Sequence, residues 1–362
     1  MKQKIRQDLK RVIAIAAFFC MLLWIVGELG VLVRPFDEDF DKWHYFYAED
    51  KDTLNVAAIG SSSIYRYWIP TRAYEKYGFT SFMIAQSGQD IHTVPYIMEE
   101  AVKSQKVDLF IVETRQLVTY RTSEYKEQTD KEKQQYLFST ISAGMKPSFV
   151  RMRMIHDILQ KDAGNPEIEW QIPLLKYHDN LLNGTWTEWK KRLTSGRDIY
   201  KSATQISKVE KQSETKIEPD GTLVLLEEDH QIIDEIVRTA EKLNTKILFI
   251  ATPYIATKYR YPLQLQLDAY MEKKGYSYLN LNAEKKEIGL DLSTDFYNLY
   301  HTNIAGANKV TDYLAEYLST HYRFENKLNS TQKKDWDTSV AAWKEKEAEL
   351  LAQWEENCKE QE

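Results

Sequence analysis

Five short apolar runs, Leu54–Ile59, Thr80–Ala85, Val107–Val112, Lys246–Ala251 and Tyr276–Leu281, limit what this chain can fold into more than any other feature. Each is bounded by turn-forming residues. Dense apolar runs of this length fit strands buried on both faces. Between them lie stretches with the apolar spacing of helices: Val94–Ser104, Asp229–Leu243, Leu263–Lys274 and Ala305–Tyr322. Strand alternating with helix predicts an α/β fold with a parallel sheet covered on its faces. The first run ends in Gly60-Ser61-Ser62-Ser63. A glycine there permits a sharp turn, and a hydroxyl at the start of the next helix meets free backbone N–H groups that favour developing negative charge. Such a serine is either a nucleophile or a plain helix cap.

The N-terminus reads as a membrane anchor. Lys2, Lys4, Arg6, Lys10 and Arg11 mark a basic cytoplasmic segment over 1–11, and the apolar stretch 12–33 is long enough to cross a bilayer. Asp37, Glu38, Asp39 and Asp41 follow, which places the body outside. The stretch is too long for a cleaved signal peptide and lacks a small-residue cleavage site. Glu28, inside the span, either faces a partner helix or snorkels to the outer surface. Residues 34–53, acidic and aromatic, read as a juxtamembrane linker, with Trp43, Tyr45 and Tyr47 suited to headgroup level.

From about 118 to 223 the strand–helix regularity is lost. Charged helical pieces such as Ser123–Phe138 and Trp186–Leu193 predict a mostly helical insertion into a domain spanning 54–323. Insertions of this kind border sites at the strand C-terminal ends. His178 either reaches such a site or is a surface histidine. Over 331–358, Trp336, Val340, Trp343, Leu350, Leu351 and Trp354 form one stripe of an amphipathic C-terminal helix. That helix docks on the body, or serves a partner protein or the membrane surface. The formal charge of −6 and the absence of a basic stripe argue against nucleic acid as a partner. Cys20 and Cys358 are too far apart in context to suggest a disulfide, and zinc-ligand spacing is absent.

Three loops carry candidate chemistry: Gly60-Ser61-Ser62, Ser87-Gly88-Gln89, and the stretch from Asp295 to His301 before the last domain helix. In this order they resemble the SGNH (GDSL-like) hydrolase superfamily, over roughly residues 54–117 and 229–320. The resemblance implies a three-layer α/β/α sandwich with a flavodoxin-like sheet. It matches Ser62 to the nucleophile, Gly88 to the oxyanion glycine and His301 to the catalytic base, with His301-Thr302-Asn303 and Gly306 resembling the sequence around the superfamily histidine. Gln89 and Arg115 fall in the oxyanion or substrate-binding positions.

The chain departs from the family pattern in three places. Ser61 stands where Asp is usual, Thr114-Arg115-Gln116 replaces the block with the oxyanion Asn, and Asn298 replaces the Asp of Asp-x-x-His. Arg115 therefore either holds an anion or oxyanion, or pairs with Glu113. Asp295 either bends in as the acid behind His301 or caps the turn. Because an amide cannot neutralise an imidazolium, Asp295 is expected to matter more than Asn298. Among superfamily members the anchor, the Gly-Ser-Ser serine and the insertion look most like cell-envelope proteins such as the D-alanine transfer protein of teichoic-acid decoration and glycan O-acetylation proteins. That likeness implies no cofactor, an acylated or acceptor envelope polysaccharide as substrate, and a membrane-bound O-acyltransferase as possible partner. It leaves two readings: an acyl-esterase or O-acyltransferase working through acyl-Ser62, and a non-catalytic glycan-binding or scaffolding partner.

Overall fold

Every residue of the first three apolar runs that enters the sheet is buried. A computed structural model describes residues 2–119, 131–159, 167–194, 196–214, 217–218 and 223–361. In it the runs become β1 (Val56–Gly60), β2 (Ser81–Ala85), β3 (Leu109–Glu113), β4 (Lys246–Ala251) and β5 (Tyr278–Asn280). All are parallel, in the order β2-β1-β3-β4-β5. The register sets Gly60 beside Ala85, Ile59 beside Val112 and Glu113 beside Ile250. The chain departs from β1 in one direction to β2 and in the other to β3, so a crevice opens at the C-terminal ends beside β1.

Val56, Ala58, Leu109, Ile111, Leu248 and Ile250 share a core with Ile304, Ala307, Val310 and Leu314 of the Ile304–His321 helix. The helices Val94–Ala101 and Glu227–Lys242 pack on each other and on β1 and β4. The C-terminal helix, Ser330–Lys359, buries Trp336, Trp343 and Leu350 against this body. Arg72 ties it in, bonding Asp312 at 2.6 Å and Glu347 at 2.8 Å.

The segment predicted as an interfacial linker contains a helix, Glu38–Ala48. Trp43 is 0% exposed, stacked on Tyr47 at 5.3 Å, and Phe46 lies edge-on to Phe82 of β2 at 5.6 Å. Trp43 is thus a core residue and not a headgroup anchor. Aromatics at positions 43, 46 and 47 recur at helical spacing, which is how a helix presents a face to a core.

The chain forms two compact units, residues 42–138 with 196–362, and residues 1–41 with 139–195. The predicted insertion of about 118–223 has residues in both. Residues 196–214 belong to the sheet unit, where Ile304 N–H donates to Ile206 O at 2.8 Å and Glu210 N–H to Phe296 O at 2.9 Å. This segment carries no regular element, so its membership rests on long-range backbone bonds that no periodicity reveals. Residues 123–130 of the predicted Ser123–Phe138 helix lie outside the described residues, and 131–138 fall in the Lys131–Gly144 helix. The other unit contains the Lys2–Leu32 helix, whose stretch Arg6–Gly30 is apolar enough to cross a membrane. It also contains a series of short helices between Phe149 and Thr194. His178 is exposed there, its Nδ1 bonded to Leu175 O at 2.9 Å.

Candidate active site

The three hydroxyls after β1 do three different things. Ser61 caps the short Ser62–Tyr65 helix, its Oγ accepting from Ser63 N–H. Ser63 donates to Glu113 at the end of β3 and meets Ser61 Oγ at 2.8 Å. Ser62, half-buried, is left for chemistry: its Oγ lies 2.8 Å from His301 Nε2. Gly60 does not supply a turn. A Cβ there would lie 2.9 Å from Glu113 Cβ, so the glycine permits close approach of β1 and β3 beneath the serines.

His301 reaches Ser62 across 239 residues of sequence because its loop is fixed at both ends. Asn303 caps the following helix, accepting from Ala305 and Gly306 N–H, and its Nδ2 donates to Thr294 O at 2.7 Å. Asn298 Oδ1 accepts the Tyr300 N–H at 2.8 Å and lies 3.1 Å from His301 Nδ1. An oxygen that accepts from a backbone N–H presents an acceptor to the ring, so Nδ1 carries the proton and Nε2 is free to accept from Ser62. Tyr297 stacks on the ring at 5.3 Å and 9°. The structure thus brings together Ser62, His301 and Asn298.

Asp295 is not at the ring. Its carboxylate pairs with Lys309 Nζ at 2.6 Å and accepts the Asp291 N–H at 2.8 Å, and its carbonyl accepts the Asn303 N–H at 3.0 Å. Here the carboxylate braces the loop, and the turn-capping alternative describes it better than the role of catalytic acid.

Arg115 is structural, as one of its two expected roles had it, but not through Glu113. The buried guanidinium donates to Tyr300 O, to Tyr67 Oη at 3.0 Å, to Thr252 Oγ1 at 2.6 Å and to Pro253 O at 3.0 Å, and it forms no ion pair with Glu113. Tyr67 Oη in turn lies 2.6 Å from both Pro253 O and Tyr300 O, with one proton to donate between them. Arg115 therefore clamps the loop after β4 to the loop carrying His301. Two further arginines escaped sequence reasoning. Arg66 lies over the Tyr297 ring at 5.8 Å and Arg260 over the Tyr300 ring at 3.7 Å. Burial, then the charges of Arg115, Arg66 and Arg260, hold the His301 pKa down to about 2. A ring so placed stays neutral, with Nε2 free to accept, but is a weaker base than an ordinary imidazole. Protonating it costs more than usual, and an anionic group on a substrate would offset that cost.

Gly88 adopts φ +59° in the loop after β2, a conformation that favours glycine. Ser87 Oγ meets Tyr65 Oη at 2.9 Å, tying this loop to the helix that starts at Ser62. Gln89 is buried, and its Oε1 accepts the Gln86 N–H at 3.3 Å. The side-chain amide nitrogens of Gln86, Gln89 and Gln116 are buried without a hydrogen-bond partner among the described residues. Buried amides without partners are rare. These follow β2 and β3, the two neighbours of β1, and are donors of the type a tetrahedral oxyanion needs. No group of three or more His, Cys, Asp or Glu side chains is arranged to hold a metal among the described residues. Set against known proteins, the chain matches no family model and no curated protein.

Proposed function

We propose that the protein is a membrane-anchored, extracytoplasmic serine acyl-esterase or O-acyltransferase of the SGNH type, acting on an envelope glycan or teichoic acid. The observation that carries this reading is the 2.8 Å contact between Ser62 Oγ and His301 Nε2, with Asn298 fixing the tautomer on the far side of the ring. In the reaction Ser62 Oγ attacks the acyl carbonyl while its proton passes to Nε2, and the C–O bond to the donor alcohol breaks as Nε2 returns that proton to the leaving oxygen. Water or a sugar hydroxyl then resolves the acyl-serine by the reverse sequence. The Ser62 and Gly88 backbone N–H groups serve the oxyanion. The arginines around His301 favour a polymer carrying phosphate or carboxylate. The basic flank before the Lys2–Leu32 helix and the acidic one after it support a cytoplasmic N-terminus.

Purified full-length protein in detergent should release or exchange ester-linked acyl groups of isolated teichoic acid or wall glycan. The activity should vanish with Ser62→Ala. Equal turnover by the variant would overturn the reading. Asn298 in place of a carboxylate supports one rival, a non-catalytic glycan-binding or scaffolding partner of a membrane-bound O-acyltransferase. That rival predicts co-purification with such a transferase, unaffected by Ser62→Ala, and no acyl release by the isolated chain.

A further inference from the structure

The unit formed by residues 1–41 and 139–195 grips the outer end of the Lys2–Leu32 helix. A Cβ added to Gly27 would lie 2.6 Å from Pro147 Cγ, and one added to Gly30 would lie 3.3 Å from Pro173 Cδ, so these glycines let the short helices approach that helix's backbone. Beyond them Arg192 donates to Leu32 O at 2.9 Å and Pro35 O at 2.7 Å, and Asn180 Nδ2 to Val33 O at 2.9 Å. Carbonyls left open at a helix C-terminus are in this way satisfied by the residues that follow Pro173.

Each of these grips has exposed apolar side chains a few residues away. Phe149, two residues after Pro147, is 84% exposed, and Leu182, two after Asn180, is 89% exposed. Trp186, between Gly184 and Arg192, is 78% exposed, and Leu175, two after Pro173, is also exposed. Along the Phe149–Leu159 helix the outer face changes character. Its exposed residues are Phe149, Met152 and Arg153 in the half near Pro147, then His156 and Asp157, so the exposed apolar ones all lie in the first half. Seven residues of helix span about 10 Å, comparable with the depth over which an interfacial helix meets headgroups and the acyl boundary.

We infer that this helical unit is a membrane-seated foot. The bilayer surface around the chain's own span covers Phe149, Leu175, Leu182 and Trp186, while His156 stays in water. The inference goes beyond the acyl-transfer reading and rests only on the Lys2–Leu32 helix crossing the membrane. Trp186 supplies the amphipathic ring that favours the membrane–water boundary.

The test uses full-length protein in a Cys20→Ser, Cys358→Ser background, reconstituted into vesicles of equal parts phosphatidylglycerol and phosphatidylcholine with a shallow spin-labelled lipid. An environment-sensitive fluorophore is attached in turn through Phe149→Cys, Leu182→Cys, Trp186→Cys, His156→Cys, Leu23→Cys and Glu345→Cys. At positions 149, 182 and 186 the emission should shift to the blue and lose roughly half its intensity to the quencher, as expected for interfacial burial. Positions 156 and 345 should resemble the labelled protein in detergent-free buffer controls. Quenching at Leu23 with none at 149, 182 and 186 would overturn the foot and leave that face for a protein partner. An unquenched Leu23 would overturn the spanning helix and the foot together. The acyl-transfer reading stands or falls on the separate Ser62→Ala assay.

Discussion

The loops around Ser62 and the open surface of residues 139–195 are built in opposite ways. Around Ser62 polar side chains meet across long stretches of sequence: Ser62 with His301, Arg115 with Tyr300 and Pro253, Tyr67 with both carbonyls. In 139–195 the buried Arg151 and Arg192 also hold main-chain carbonyls, but above them the surface leaves Phe149, Leu182 and Trp186 open. A site that moves a proton needs donors and acceptors fixed by packing, whereas a surface that meets a fluid phase needs only area and a gradient of polarity. Substitutions should therefore be costly in the first region and cheap at the open side chains of the second.

The largest contrast should come from Ser62→Ala or His301→Ala, each lowering acyl-transfer turnover by roughly four to six powers of ten with the fold intact by thermal melt. Next is Arg115→Met, which strands the carbonyls of Tyr300 and Pro253. It should destabilise the chain by about 2–4 kcal/mol and lower activity with it, read from denaturant unfolding. Asn298→Ala should cost roughly two powers of ten in turnover by freeing the tautomer, and Asp295→Asn less than about tenfold. A larger loss from Asp295→Asn would reverse the assignment of the ring's partner. Smallest, Trp186→Ser should change unfolding stability by less than about 0.5 kcal/mol and leave turnover of a soluble ester unchanged.

Protonation sharpens the same comparison. With His301 held down to about 2, the folded ring stays neutral where an unfolded histidine, near pH 6.5, takes up a proton. Between those values the unfolded state binds more protons, so this group's contribution to stability is present above about pH 6.5 and is lost as the pH falls. The rate should show no acid limb near 6.5. Asn298→Asp, by placing an anion at Nδ1, should raise the ring pKa and bring that limb into view in a pH–rate profile.

Much of the sheet was legible because β1 to β5 are short apolar runs whose burial on both faces leaves no other use for them. The Ser62–His301 pair was legible by its place at the end of one strand and the start of the last domain helix. Other features were not. Arg66, Arg260 and Tyr67 act through ring faces and main-chain carbonyls that carry no sequence spacing. The choice of Asn298 over Asp295 is decided by Lys309, fourteen residues beyond Asp295 and one helix away. Trp43 was misplaced because an aromatic helix beside an anchor has the same composition whether it faces headgroups or a core.

The most direct test is labelling of the full-length protein with a fluorophosphonate, with the adduct mapped by peptide mass spectrometry. A serine activated by a neutral imidazole at 2.8 Å predicts a single adduct on Ser62, lost in Ser62→Ala and strongly slowed in His301→Ala. Labelling of Ser61 or Ser63 instead, or labelling of Ser62 at an unchanged rate in His301→Ala, would contradict it.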